Sequence, residues 1–222
     1  LERMCAYSGV PLYFARRTDL LQKPLVALIR AAYDIVTGGW DAEDVSAYLR
    51  TGLAGLTPEE TDTLENYVLL WSLRGGAWTR PEPWRQHPDG YGAPDTDEAA
   101  ARLAEINDLR RRAADPLQLL GAESHTAATA EAQAMALADF LERLQLAQRL
   151  DTLAGDLRRE GRGALAAEYA QLWELTVGAL EQFAAILGGT QMDADTFATL
   201  FLRMLSCYDI GTIPVALDRV TA

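Results

Sequence analysis

The chain has 222 residues, of which 49% are hydrophobic, and a formal net charge of −12 from 32 acidic and 20 basic residues. A chain of this length can bury a proper core and forms one domain or two small ones. The acidic balance disfavours tight unaided binding to nucleic acid or anionic lipid, because phosphate neutralisation dominates such affinity. No apolar run reaches the roughly 18 residues that cross a bilayer and no signal-peptide pattern is present, so we expect a cytoplasmic protein without a membrane partner.

The start of the chain combines strand-like and helical patterns. Residues 1–8 have the pattern of a helix end, and the β-prone run of residues 10–14 predicts a short strand. Pro24 suits the first position of a helix that ends at Gly38 and Gly39. The apolar face predicted for this helix consists of Leu25, Leu28, Ile29, Ala32, Tyr33 and Val36.

Two helices are predicted next. Asp41 is placed to cap a short helix that carries Val45, Tyr48 and Leu49. Thr57 and Glu60 then have the spacing of a capping box, which predicts a second helix start. The apolar residues of this second helix recur at i, i+3, i+4 and i+7, and Gly75 and Gly76 are predicted to end it. The apolar residues at this spacing are Leu64, Tyr67, Val68 and Trp71.

The stretch that follows has no periodicity, yet it is rich in aromatic and basic residues. Residues 72–88 contain three arginines and one glutamate, a local charge of +2. Arginine and tryptophan together suit stacking on unpaired bases, where each stack contributes about 1–3 kcal/mol. The candidate DNA-contact residues are Arg74, Trp78, Arg80, Trp84 and Arg85. The alternative is that both tryptophans fold back into the helical core and leave the arginines at its rim.

The second half of the chain is predicted to be helical throughout. A helix capped by Asp95 or Thr96 runs to about Ala114, where the Asp115–Pro116 step is expected to interrupt it. Arg110, Arg111 and Arg112 are expected to be mostly solvated, because consecutive residues do not share a helix face. Further helices are predicted over residues 126–146, 149–160 and 164–187, and from Asp193 or Asp195 onward. Met135 is expected on the apolar side of the first of these helices, and Leu200 on the apolar side of the last.

These elements predict a mainly α, multi-helix domain with short β segments near its two termini. We divide it into residues 1–39 as a strand and helix of a sheet-containing domain, 40–210 as a helical insertion, and 211–222 as the return toward that sheet. A helical insertion explains why the β-prone segments stand only at the ends. The chain opens without Met, inside a predicted helix, and this suggests a piece of a longer protein.

No residue pattern indicates catalysis or cofactor binding. The sequence contains no GxxxxGK[ST] phosphate loop, no HExxH and no zinc-ligand spacing. His87 and His125 are predicted to be solvated loop residues, and Cys5 and Cys207 to be small buried hydrophobes. We therefore predict no catalytic, cofactor-binding or metal-binding residue in this chain.

One run of residues resembles a known family. Leu-Glu-Asn-Tyr-Val at residues 64–68, followed by Arg74-Gly75, Trp78-Thr79 and Trp84, is similar to AddB (RexB), the second component of the AddAB (RexAB) helicase-nuclease. Weaker similarity covers residues 8–14, 106–110 and 213–218. The resemblance implies an internal part of AddB, the helical insertion of its superfamily-1 helicase-like second domain.

The resemblance also implies a function. The bacterial complex processes double-strand breaks for recombinational repair, using ATP with magnesium, and its nuclease domain carries an iron–sulfur cluster. These sites fall outside the matched residues, so the resemblance implies a non-catalytic part that contributes structure, a contact with the A subunit or part of the DNA path. Whether the chain is itself an enzyme stays open. The alternative is a free-standing acidic helical protein–protein interaction domain with no DNA role.

Overall fold

The computed structural model describes residues 12–13, 23–208 and 220–221. Within these residues it contains helices and two very short strands. In chain order the elements are β1 (Leu12–Tyr13), α1 (Pro24–Gly38), α2 (Ala42–Leu49), α3 (Pro58–Trp71), α4 (Gly76–Thr79), α5 (Asp97–Thr126), α6 (Ala130–Arg143), α7 (Leu146–Arg159), α8 (Gly163–Leu187), α9 (Ala194–Leu205) and β2 (Val220–Thr221). The predicted mainly α fold is confirmed.

The two strands pair with each other in parallel. Leu12 lies opposite Val220 and Tyr13 opposite Thr221. The two strand segments near the ends of the chain therefore meet, although each has only two residues. The rest of the predicted first strand, the predicted helix end at residues 1–8 and most of the predicted return segment lie outside the described residues.

Helix α1 lies at the centre of the core, with α2, α5 and α9 packed around it. It is apolar on nearly every side, and such a helix has to be surrounded by other elements. Its buried residues are Leu25, Val26, Leu28, Ile29, Ala31, Ala32, Tyr33 and Ile35. The predicted domain boundary after residue 39 stays a prediction. Helix α1 lies before this boundary and shares one core with the helices after it.

An aromatic cluster joins α1 to α8 and α9. The Phe197 ring is stacked on Phe201 at 5.6 Å between centroids and lies 5.8 Å from Tyr33. Phe183 meets the edge of Phe197 at 5.1 Å. Beyond this cluster, α8 packs against α6 and α7, so the second half of the bundle is built on α8.

Several helix starts form as the capping residues predict. The Thr57 side chain accepts a hydrogen bond from the Glu60 backbone N–H at 3.2 Å, and the Glu60 carboxylate accepts one from the Thr57 N–H at 2.8 Å, which completes the capping box. Thr96 accepts from Ala99 and Asp193 from Thr196. Each cap satisfies backbone donors that the first helical turn leaves without partners.

Several predicted helix boundaries are wrong. Helix α3 ends at Trp71 with Ser72 in the left-handed conformation, and Gly75 is instead the N-cap of the one-turn helix α4. Helix α5 continues through Pro116 to Thr126, because buried side chains on both sides of the proline hold it in place. Tertiary packing thus outweighs the local cost of a proline inside a helix. Helix α6 consequently starts later, after the cap at Thr129. It ends at Arg143, before the predicted residue 146, and α7 begins at Leu146 instead of residue 149.

Some predicted apolar faces also need correction. Met135 is 62% exposed and Leu200 is 41% exposed, although both occur among apolar residues at helical spacing.

Among the described helices, none is long and apolar enough to cross a bilayer.

Gly39 offers a test of the turn after α1. It lies at φ 92°, in the left-handed region, and its N–H closes the helix on the Ile35 carbonyl at 3.2 Å. A Cβ there would meet no atom within 4 Å, so the cost of Gly39→Ala is conformational. We expect Gly39→Ala to lower the free energy of unfolding by about 1 kcal/mol in urea denaturation.

Gly38→Ala is the matched control for that substitution. Gly38 is the last residue of α1, and an added Cβ would make an ordinary contact 3.8 Å from Asp44. We expect Gly38→Ala to be neutral or to stabilise by up to about 1 kcal/mol. Equal stability of the two variants would contradict this account of the turn.

Candidate nucleic-acid interface

The connection between α3 and α5, residues 72–96, contains the predicted DNA-contact residues, and we call it the Trp loop. Its two tryptophans are buried, with 1% exposure each. Trp84 stacks on Tyr67 of α3 at 5.5 Å and meets Trp78 edge to face at 5.1 Å. Trp78 in turn stacks on Trp40 at 6.2 Å. The four rings form one continuous aromatic stack that fixes the loop on the helices.

The side chain of Arg110 in α5 binds the backbone of the Trp loop. Its guanidinium donates hydrogen bonds to the carbonyls of Trp78 at 3.0 Å and Glu82 at 2.8 Å, and also to that of Arg80. The same group lies 5.0 Å from the centre of the Trp84 ring, a cation–π contact. A single side chain therefore satisfies three backbone acceptors of an irregular segment.

The burial of Arg110 corrects the prediction that the arginine triplet is solvated. Arg110 is 5% exposed. Burial lowers the pKa of its guanidinium, and the nearby positive charge of Arg80 lowers it further. The sequence does contain a signal for this burial, because Arg110 occurs at helical spacing with Ile106 and Ala113, both of which are buried.

The other two arginines of the triplet form ion pairs on the surface. Arg111 pairs with Asp108 one turn back, at 3.0 Å. Arg112 pairs with Glu60 at 2.6 Å and donates to the Gly55 carbonyl at 2.8 Å. Arg112 therefore connects α5 to the capping box of α3. It lowers the pKa of Glu60, because its hydrogen bond stabilises the carboxylate.

Asn107 fixes the backbone at Trp84. Its side-chain oxygen accepts from the Trp84 N–H at 2.7 Å, and its amide donates to the Trp84 carbonyl at 3.0 Å. The amide also donates to the Leu103 carbonyl in its own helix at 2.9 Å. The asparagine side chain thus pairs with both backbone groups of Trp84, as a neighbouring β-strand would.

Helix α3 anchors the same loop from the other side. The Tyr67 hydroxyl donates to the Gln86 carbonyl at 2.9 Å, and the Trp71 indole N–H donates to the His87 carbonyl at 3.0 Å. Within the loop, the Trp84 indole N–H donates to the Ala77 carbonyl at 2.8 Å. Polar edges of aromatic residues therefore satisfy carbonyls that no secondary structure covers.

Glu65 connects α3 to α2. Its carboxylate is 10% exposed and accepts bonds from the Arg50 guanidinium at 3.0 and 3.1 Å. The Ser46 hydroxyl donates to the same carboxylate. Charge-assisted bonds of this kind make the carboxylate a structural group, fixed between two helices, and leave it little freedom for chemistry.

The five predicted contact residues divide into two sets. Trp78 and Trp84 lie in the core, as the alternative interpretation expected, and neither ring offers a free face to a base. Arg74, Arg80 and Arg85 are exposed at the loop surface. DNA contact by these residues stays a prediction, and the geometry restricts it to the three guanidinium groups.

Tyr91 was not among the predicted site residues. It is 99% exposed, and it follows Gly90, which approaches Leu70 of α3. An exposed aromatic ring on a glycine-rich turn is the ring of this loop that a base could reach. The flanking Gly90 and Gly92, both with positive φ, are a turn signal in the sequence that marks Tyr91 as outside the core.

The remaining candidates for metal or thiol chemistry are the acidic, histidine and cysteine side chains of the described part of the chain. It contains no group of three or more His, Cys, Asp or Glu side chains that could hold a metal ion. Cys207 is exposed, which corrects its prediction as a buried residue, and Cys5 lies outside the described residues. The His87 ring nitrogens are engaged by local backbone groups of Pro94 and Asp89.

Sequence comparison connects this geometry to a family. No protein-family model matches the chain. It is 32% identical over 213 residues to the B subunit of the ATP-dependent helicase/deoxyribonuclease of Clostridium botulinum, and 30% identical over 221 residues to that of Acetivibrio thermocellus. The protein of the same name from Desulforudis audaxviator is 32% identical over 222 residues. The chain is homologous to one part of the AddB subunits.

The AddB relatives are much longer than the region that matches. The three alignments cover 96–99% of this chain but only 18–19% of the relatives. The chain therefore spans less than one fifth of their length. The motif that carries the resemblance to AddB includes Glu65, Tyr67, Trp78 and Trp84, all of which are buried where α2, α3 and the Trp loop meet.

We expect Arg110→Ala to destabilise the fold strongly. The change leaves the carbonyls of Arg80 and Glu82 without their side-chain donor, leaves the Trp78 carbonyl only a 3.4 Å bond from the Gln118 side chain, and removes the cation at the face of Trp84. Buried polar groups without partners cost about 1–3 kcal/mol each, so a loss of about 3 kcal/mol in urea denaturation is expected. The matched control, Arg111→Ala, is expected to change stability by less than about 0.5 kcal/mol. Similar losses in both variants would contradict the role of Arg110.

Tyr67 makes stability sensitive to alkaline pH. Burial raises the pKa of Tyr67 to about 12 from its ordinary 10.0. Since the folded state holds this proton more tightly, its stabilising effect is complete below pH 10.0 and is lost as the pH rises toward about 12. We expect Tyr67→Phe to reduce the slope of unfolding free energy against pH in that window. Tyr91→Phe, at a fully exposed ring, should retain the slope, and equal slopes for both variants would refute the effect.

Proposed function

We propose that this chain is a non-catalytic helical part of an AddB-type subunit that takes part in processing DNA double-strand breaks for recombinational repair. The observation that carries the proposal is the alignment of almost the whole chain with B subunits of ATP-dependent helicase/deoxyribonucleases. Within the complex the chain contributes structure, a contact with the A subunit, or part of the DNA path. The setting is the bacterial cytoplasm.

The internal contacts support a structural role. Tyr67, Trp84, Asn107 and Arg110 use their polar and aromatic groups to fix the Trp loop on α3 and α5. Groups held in this way are positioned for stability, whereas a general base or nucleophile needs access to substrate. ATP with magnesium and the iron–sulfur cluster would then be held by other parts of the complete subunit.

The paired strands support the placement as an insertion. Parallel pairing of β1 with β2 brings both sides of a helical unit to one point of a sheet. Parallel neighbouring strands require a crossover connection, and here the connection would be the helical bundle itself. In the proposed arrangement, residues 1–39 and 211–222 belong to the helicase-like domain and residues 40–210 to its insertion.

The exposed arginines of the Trp loop are the proposed DNA contact. Arg74, Arg80 and Arg85 stand on a loop that the aromatic stack holds rigid, and Tyr91 adds one exposed ring. Arginine binds phosphate through paired donors, so the loop would grip a strand backbone with little sequence preference. The two buried tryptophans of the predicted contact set, Trp78 and Trp84, would act by supporting this surface.

The competing function is a free-standing acidic interaction domain. The net charge of −12 favours it, because a strongly acidic surface repels nucleic acid. It requires a protein partner and predicts no binding of DNA even at low salt.

Fluorescence anisotropy with labelled single-stranded and duplex DNA tests the proposed DNA contact, which the interaction domain would lack. We expect single-stranded DNA to bind the chain at micromolar concentration and low salt. Each lost phosphate contact on a single strand lowers the salt slope by about 0.7, so Arg74→Gln/Arg80→Gln/Arg85→Gln should lower it by about 2. The matched triple variant, Arg158→Gln/Arg159→Gln/Arg203→Gln, removes the same charge from exposed sites on α7 and α9 and should retain binding.

Two results would overturn the proposed DNA contact. Absence of binding at low salt would exclude the DNA contact and leave a structural or subunit-contact role, or the interaction domain. An equal loss in both triple variants would show that binding depends only on net charge. The same chain incubated with ATP, magnesium and duplex DNA is expected to release no phosphate and no nucleotides. Hydrolysis above the buffer rate would refute the non-catalytic assignment.

A further inference from the structure

A groove opens where the end of α6, the start of α7 and the middle of α8 meet. Its volume is about 610 Å³. The floor is apolar, since the buried side chains of Leu141, Leu146 and Leu180 lie beneath the half-buried Trp173 and Val177. A volume of this size lies within the range of sites that hold a ligand or several side chains of a partner. We call it the α6–α8 groove.

The rim of the α6–α8 groove carries negative charge. Glu142 and Glu181 are exposed and line it, and neither forms an ion pair with another residue that the structure describes. The other polar lining residues, Gln145 and Gln148, are neutral. None of the described lining side chains is basic, so the two carboxylates are left to face a ligand.

Helix α8 explains why an apolar surface remains open here. Its sequence is apolar on several faces, and α6, α7 and α9 cover only some of them. Trp173, Val177 and Leu180 follow one another at helical spacing along the face that borders the groove. Apolar surface beside a polar rim is a pattern that interaction sites share.

We propose that the α6–α8 groove binds an amphipathic helix of a partner protein, one that carries an apolar stripe flanked by arginine or lysine. The apolar stripe would cover Trp173 and Val177, as in other helix-in-groove complexes. A basic side chain at its edge reaches Glu142 or Glu181, and a guanidinium can also stack on the Trp173 indole. The charge of the rim excludes DNA and anionic lipid, because both would bring phosphate against two carboxylates.

This binding site is independent of DNA contact by the Trp loop. The groove is formed by residues 138–181 and shares no side chain with the Trp loop. Failure of either proposal therefore leaves the other standing.

A labelled helical peptide with a leucine stripe flanked by arginines is the probe. We expect it to bind the 222-residue chain with micromolar Kd in fluorescence anisotropy, while a peptide with the same leucines and glutamate flanks should not bind. Glu142→Gln/Glu181→Gln should weaken binding about fivefold to tenfold, the loss expected when two exposed ion pairs are removed. Glu105→Gln/Glu131→Gln removes the same charge outside the groove and should bind like the unmodified chain.

A second pair of variants tests the groove without removing an acid. Ala138 is exposed and lines the groove four residues before Glu142, so Ala138→Arg would fill the site with the chain's own guanidinium. Met135→Arg adds the same charge to the same helix outside the groove. We expect Ala138→Arg alone to abolish peptide binding, with helical circular dichroism unchanged in both variants.

Each remaining outcome would overturn the proposal. If neither peptide binds at low salt, the groove has no such partner. If the glutamate-flanked peptide binds equally well, or if the control variants lose as much affinity as the groove variants, the attraction is not specific to this rim.

Discussion

The position of Arg110 is the constraint on which the loop between α3 and α5 depends. A buried cation is costly unless its donors are satisfied, and here backbone carbonyls satisfy them. Three carbonyl dipoles and the face of Trp84 together replace the water that the guanidinium has lost. The lowered pKa of Arg110 reflects this loss of water, since burial is its first cause. The loop conformation and the arginine position consequently determine each other.

The same arrangement separates the aromatic and the basic parts of the loop. The indoles of Trp78 and Trp84 face inward because Tyr67, Trp40 and Arg110 offer them a closed apolar and cationic environment. The guanidinium groups of the loop are exposed, while carbonyls of the same loop bind the buried Arg110. A motif rich in tryptophan and arginine can thus resemble a base-stacking surface in the sequence, although its tryptophans are packed in the core.

Helical spacing and capping residues are sufficient to predict most of the helices from the sequence. The starts at Thr57, Thr96 and Asp193 depend on interactions within one turn, and local sequence determines those. The errors fall where distant contacts decide. Pro116 remains helical because the side chains around it are buried, and Met135 is exposed because no described element covers that part of α6. The burial of Arg110 escapes prediction when its charge is given more weight than its helical spacing.

Charge distribution determines which partners each surface can take. The chain carries −12 overall, yet many of its arginines are engaged within the fold, as Arg50, Arg110, Arg112 and Arg143 show. The cations left at the Trp loop therefore act locally, within a Debye length of about 8 Å at physiological salt. Over the same short range the carboxylates at the α6–α8 groove select for a basic partner. The total charge opposes a long-range attraction to DNA, so in the proposed subunit other parts would have to deliver the strand to the loop.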